Sequence, residues 1–138
     1  MERIEWFAGI FDGEGCVNIY VNRGKYYELR IEVTNTELEI IAPFIARFEG
    51  SFSTSSRHSP SNGKDIYQWK LANKQAAAFL RAVLPHLRSA KKSKAAKLAI
   101  DFQDQKGKFD GRSAPSDYHA RQRQFYLALK TINKRGRA

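Results

Sequence analysis

The chain has a single cysteine, Cys16, which excludes an internal disulfide and a cysteine-based metal cluster and points to a reducing, intracellular setting. It has no apolar run approaching the ~20 residues that cross a bilayer, so no membrane segment is expected. Its first residues lack a cationic segment followed by a long apolar stretch, so no secretory signal is expected either. Acids are scarce: 14 Asp and Glu stand against 24 Lys and Arg, a formal charge of +10. That imbalance disfavours a basic partner. It points first to a polyanion, most often nucleic acid, and second to an acidic membrane surface, the plain alternative being a basic soluble protein. With 138 residues, 42% of them hydrophobic, the chain is one globular domain and not a disordered tail. We take 1–138 as that single domain, with a core over about 1–104 and a helical extension over about 105–138.

Glycine is also sparse, with nine in the chain, yet three fall within "WFAGIFDGEG" (6–15). The spacing predicts a helix over residues 3–13. Ile4, Phe7, Ala8, Ile10 and Phe11 make one apolar arc, Gly9, Gly13 and Trp6 fill most of the opposite side, and the polar strip is narrow. "CVNIYVN" (16–22) and "YYELRIEVT" (26–34) alternate around the turn "RGK", a hairpin signal. Val17, Ile19 and Val21, with Tyr27, Leu29, Ile31 and Val33, form its inner face. "TELE" (36–39) has a capping-box pattern and opens a helix with Leu38, Ile41, Phe44, Ile45 and Phe48 inward, kinked or restarted at Pro43 and ended at Gly50. Strands follow at 51–57 and 65–71, with a loop at 58–64 between them. Asn73 is placed as the cap of a helix from Lys74 to Leu84 that Pro85 stops. A helix covers about 91–104, a flexible link 105–116, and a last amphipathic helix Asp117–Asn133 carries Tyr118, Phe125, Leu129 and Ile132.

The fold class is therefore α+β: an αββαββα core with an antiparallel four-stranded sheet, helices on one face, and extra C-terminal helices. The other sheet face is left open. Its residues are Asn18, Tyr20, Asn22, Tyr26, Glu28, Arg30, Glu32, Ser51, Ser53, Ser55, Arg57, Gln68 and Lys70. Such a set suits a solvated sheet face, and it is also rich in groups that read base edges.

Gly9 and Gly13 lie four apart on one helix side, a spacing that lets two helix backbones approach closely. The chain contains one such segment, so a second helix on that side would come from a second copy, a two-fold dimer. The acids of "DGEG" oppose the dipole at a helix C-terminus. A hard divalent cation would offset that cost by taking carboxylate and carbonyl oxygens together with DNA phosphates. In isolation the four residues equally fit a solvated turn.

The nine residues "FAGIFDGEG" (7–15) resemble the LAGLIDADG motif of homing endonucleases. Ala8, Gly9, Asp12 and Gly15 are identical to it; Phe7 replaces Leu, Ile10 and Phe11 stay apolar, Gly13 is a small variant, and Glu14 replaces the second Asp. The element order is similar to that family's over nearly the whole chain. The resemblance implies a site-specific endonuclease that cuts both strands of a long, roughly palindromic double-stranded DNA near its centre, as a homodimer, with Mg²⁺ as cofactor and Mn²⁺ able to substitute. It implies Glu14 as the metal-binding carboxylate and the Gly13 carbonyl as a metal ligand. Ala8, Gly9, Asp12 and Gly13 would belong to the dimer-interface helix, with Asp12 structural. Asn35 would order active-site water, and Lys91, or else its neighbour Lys92, would lie near the scissile phosphate. Strands of about seven residues span ~23 Å and would read roughly seven base pairs per half-site. Some relatives of that family are intron splicing maturases or DNA-binding regulators that do not cut, and these are the competing readings.

Overall fold

The computed structural model describes residues 2–56, 65–108 and 117–134. Helix α1 (Ile4–Glu14) leads into strands β1 (Gly15–Asn22) and β2 (Tyr26–Asn35), then helix α2 (Leu38–Phe48), strands β3 (Ser51–Ser56) and β4 (Asp65–Ala72), and helix α3 (Asn73–Val83). A 3₁₀ turn (Leu84–His86) precedes helices α4 (Ala90–Lys108) and α5 (Tyr118–Asn133). The four strands form one antiparallel sheet in the order β1-β2-β4-β3.

Period-two alternation decides which sheet face is covered, because successive strand side chains point to opposite sides. Val17, Ile19, Tyr27, Leu29, Ile31, Val33, Trp69 and Leu71 are buried beneath the helices. They pack with Phe7 and Phe11 of α1, Ile41 and Phe44 of α2, and Ala76, Phe79, Leu80 and Val83 of α3 in one continuous cluster. Aromatic rings dominate its centre: Phe44 lies 4.8 Å from Trp69, and Phe48 lies 4.8 Å from Phe79, edge to face. The Trp69 indole N–H donates to the Glu49 carbonyl, so the ring is buried without leaving its one polar atom unpaired. Leu129 of α5 belongs to the same cluster, and Phe102 of α4 meets Phe125 of α5 at 5.9 Å, so the last helices are packed into the body of the domain.

Several local expectations are corrected. Thr36 does not cap α2. Glu37 occupies the N-cap without a side-chain bond, and the Asn35 carboxamide oxygen accepts the Glu37 N–H at 2.8 Å instead. Leu38 is exposed at 42%; it is the first residue of the helix, which starts one residue later than a Thr36 cap would place it. The helix does not restart at Pro43, which lies inside one continuous helix. The bond lost there would have run to the carbonyl of Glu39, an exposed first-turn residue that water can satisfy. Asn73 does not cap α3. It adopts a left-handed φ of 51°, and its Oδ1 accepts from Lys106 Nζ at 3.0 Å. Helix α4 runs to Lys108, through the first residues of the expected link; 109–116 and the 58–64 loop lie outside the described residues.

Candidate functional site

Strand register places the open-face residues side by side. Cys16, Asn18, Tyr20 and Asn22 of β1 stand opposite Glu32, Arg30, Glu28 and Tyr26 of β2. Glu32 and Thr34 stand opposite Lys70 and Gln68 of β4, which in turn stand opposite Ser51 and Ser53 of β3, while Ser55 faces Ile66. Every open-face residue named above thus shares one surface, except Arg57, which lies outside the described residues. Cys16 and Thr34 join it; Cys16 was legible only as a lone thiol, although the same alternation placed it there.

The polar side chains of this face are already tied to one another. Arg30 Nε donates to Glu28 Oε2 at 2.8 Å, and the guanidinium lies 4.6 Å from the centre of the Tyr20 ring. Gln68 Nε2 donates to Glu32 Oε2 at 2.9 Å and to Thr34 Oγ1 at 3.3 Å. The two carboxylates on this face therefore orient cation and amide donors. Partial burial and Glu32 push the Tyr20 phenol above its ordinary range, with Arg30 opposing, so it remains a neutral hydroxyl. At the β1 edge, Asn133 of α5 donates to the Val17 carbonyl at 2.7 Å and to Asn18 Oδ1 at 3.3 Å. Asn18 is therefore shared between the open face and α5.

The acidic end of α1 meets this face where β1 begins. The two acids there have different fates. Asp12 is half-buried, and its carboxylate accepts the backbone N–H groups of Arg88 at 2.9 Å and Ser89 at 3.1 Å. Ser89 Oγ in turn accepts the Lys92 N–H at 3.1 Å and caps α4. Asp12 thus anchors the start of α4 within its own chain, where the sequence had suggested a contact between two helices. Glu14 is exposed, one residue from the start of the sheet, and Gly13 beside it is exposed as well. Gly13 is among the last four helical residues, whose carbonyls have no partner within the helix. Gly15 is closed in: a Cβ there would run into the Phe11 ring.

The two lysines also separate. Lys91 Nζ is 3.4 Å from the Asn133 carbonyl, at the C-terminal end of α5. Lys92 instead acts on Cys16. Partial desolvation pushes that thiol up, Glu32 and Glu14 add to the effect, and the Lys92 charge opposes it. Glu32, Glu14 and Lys92 thus all lie within electrostatic reach of the Cys16 thiol. Asn35 ends β2 at the same end of the sheet, with its oxygen engaged by Glu37.

The glycine side of α1 is bare. A Cβ added at Gly9 or Gly13 would meet nothing within 4 Å, and both residues are exposed. Ala8, by contrast, is fully buried in the core of its own chain and is not available to a partner, because it lies on the apolar arc with Phe7 and Phe11.

Among the described residues no three His, Cys, Asp or Glu side chains form a metal-binding group. One exposed carboxylate and one helix-end carbonyl are hard oxygen donors of the type Mg²⁺ takes, but too few to complete its shell. The donor chemistry would fit such an ion only with further oxygens from outside these residues. No helix among the described residues is long and apolar enough to cross a membrane.

This α+β architecture matches the fold of solved LAGLIDADG homing endonucleases. The chain superposes over its full length on the LAGLIDADG homing endonuclease I-GzeII, solved in complex with its DNA target, with a TM-score of 0.73 and 14% identity, covering 47% of that chain. It matches the archaeal intron-encoded homing endonuclease I-Vdi141I, complexed with DNA, with a TM-score of 0.71 and 11% identity over 97% of this chain and 86% of that one. For the homing endonuclease I-TnaI the TM-score is 0.63 at 14% identity, over 95% of both chains. The chain thus spans about half of I-GzeII but nearly all of I-TnaI. No protein-family model and no curated protein sequence matches it.

Proposed function

We propose that this chain is a site-specific DNA endonuclease that, as a homodimer, cleaves both strands of a long, roughly palindromic duplex by divalent-metal-dependent phosphodiester hydrolysis. The observation that carries this reading is the split between the two motif acids. Asp12 is consumed by backbone N–H groups, while Glu14 is left exposed at the junction of α1 and the open sheet face. A surface acid opening onto a base-reading face of a basic protein repels DNA unless a cation joins them. Glu14 and the Gly13 carbonyl would hold Mg²⁺ or Mn²⁺, which supplies Lewis acidity and lowers the pKa of bound water.

The protein's own groups supply the rest. The open face binds the duplex in the major groove and sets its register on the acidic end. Lys91, or its neighbour Lys92, stabilises charge developing at the phosphate. Asn35 keeps its amide N–H groups for water, since only its oxygen is bound by Glu37. The bare side of α1 packs against its copy, bringing two Glu14 residues together. That a full-length match to I-TnaI is also a half-length match to I-GzeII agrees with one chain supplying one half of such an assembly.

The test is a plasmid carrying duplexes that the protein selects from a random pool, incubated with Mg²⁺ and wild-type or Glu14→Gln protein. The expected outcome is linear plasmid from wild type and intact plasmid from the variant at equal binding. Binding without cleavage by either protein would overturn the endonuclease and leave a DNA-binding regulator. Selection of RNA in preference to duplex DNA would favour the maturase.

A further inference from the structure

Arg30 is restrained from two sides on the open face. Glu28 Oε2 holds its Nε at 2.8 Å, and the Tyr20 ring lies 4.6 Å from the guanidinium carbon. Tyr20 stands directly opposite Glu28 in the β1–β2 register, so ring, carboxylate and guanidinium occupy neighbouring positions of one surface. An arginine side chain normally has wide rotamer freedom, and stacking plus an ion pair removes much of it before any ligand arrives.

The ion pair engages Nε alone and does not use the Nη1 and Nη2 donors. Two coplanar N–H donors match the O6 and N7 acceptors of guanine in the major groove, and they also match a phosphate. Two observations favour the base. The Glu28 carboxylate at the guanidinium disfavours a phosphate at that point. In addition β2 is an interior strand, flanked by β1 and β4, so Arg30 lies in from the rim, where a groove floor rather than a backbone would face it.

We propose that Arg30 reads a guanine in each half-site, with Tyr20 and Glu28 as positioning residues; this rests on the DNA-binding reading above. The location along the target follows from the register. Arg30 stands opposite Asn18, three residues from Gly15. At ~3.3 Å per residue that is about 10 Å from the acidic helix end, on the order of three base-pair steps of ~3.4 Å. The guanine therefore lies in the inner part of the half-site, nearer the acidic end than the 23–25 turn.

The test presents full-length protein with a random duplex pool in EDTA, so that the DNA stays whole, and compares the sequences enriched by wild type, Arg30→Ala, Arg30→Lys and Glu28→Gln. Wild type is expected to enrich an inner guanine in both halves. The two Arg30 variants should lose preference at that base pair alone, by about 5- to 150-fold, and Glu28→Gln should weaken it at the same base pair. Replacing that guanine with 7-deazaguanine, which lacks the N7 acceptor, should weaken wild-type binding and leave Arg30→Ala unaffected. If the Arg30 variants bind uniformly more weakly with every base preference intact, the residue contacts phosphate and the proposal is overturned while DNA reading stands. If wild type enriches no duplex, DNA reading fails and the proposal fails with it.

Discussion

The contrast between Asp12 and Glu14 shows how two like residues two positions apart come to different roles. On a helix they differ by about 200° in direction. One turns inward to meet the chain at Arg88 and Ser89, and the other turns out to solvent. Asp12 then sets the start of α4, whose Ser89 cap fixes the phase of Lys92. The thiol of Cys16 reports on this arrangement. Its pKa is raised by partial desolvation, Glu32 and Glu14, so at neutral pH it is mostly protonated and alkylates more slowly than a free thiol. Glu32→Gln should lower that pKa and speed alkylation; Lys92→Ala should raise it further and slow alkylation. Iodoacetamide rates against pH measure both, and a rate that responds to Lys91→Ala but not Lys92→Ala would show that Lys91, not Lys92, is the cation that acts on Cys16.

Among the elements, α1 carries the most sequence information and the most ambiguity. Its apolar arc was legible from 3.6-residue periodicity, and so was its opposite glycine side. The exposed state of Gly9 and Gly13 makes opposite predictions for a free and a paired helix. On a helix facing water, Gly9→Ala should stabilise the fold by about 0.5–1 kcal/mol, because alanine loses less backbone entropy and meets no clash. In a dimer joined through this face, Gly9→Leu should weaken association on the order of tenfold, the effect of losing ~1.4 kcal/mol of packing. Urea unfolding at low concentration and sedimentation at high concentration separate the two. A dimer unaffected by Gly9→Leu would place the interface elsewhere. Strands were equally legible, since alternation alone sorted the faces of β1, β2 and β4. Helix starts were not. Thr36 and Asn73 are good capping residues by type, but Asn35 and Lys106 engage the local groups instead.

At the scale of the whole molecule, the positive charge and the open face together define what the protein meets. Neutralising DNA phosphates releases counterions, so log K should fall linearly with log salt, by about 0.9 per phosphate contact. Lys70 stands on the open face opposite Glu32 and Ser51. If it meets a phosphate, Lys70→Ala should make the slope shallower by about 0.9, measured by fluorescence anisotropy on one selected duplex between ~50 and ~200 mM salt. A slope unchanged by this substitution would show that Lys70 meets no phosphate, and unchanged affinity and base preference in both the Lys70→Ala and Arg30→Ala variants would argue that the duplex lies on another surface.

The sequence by itself determined the elements, the two faces of the sheet and the acidic helix end, because those are local periodicities of two and 3.6 residues that need no knowledge of distant neighbours. Tertiary structure alone decided that Asp12 is held by the start of α4, that Lys91 reaches the end of α5, that Ala8 is core, and that Arg30 is held by Glu28 and Tyr20. Each of these depends on contacts between elements. Asp12 and Ser89 are 77 positions apart, and Lys91 and Asn133 are 42 apart. The one-residue step between Lys91 and Lys92 is a ~100° rotation on a helix, and packing, not composition, decides which way it turns.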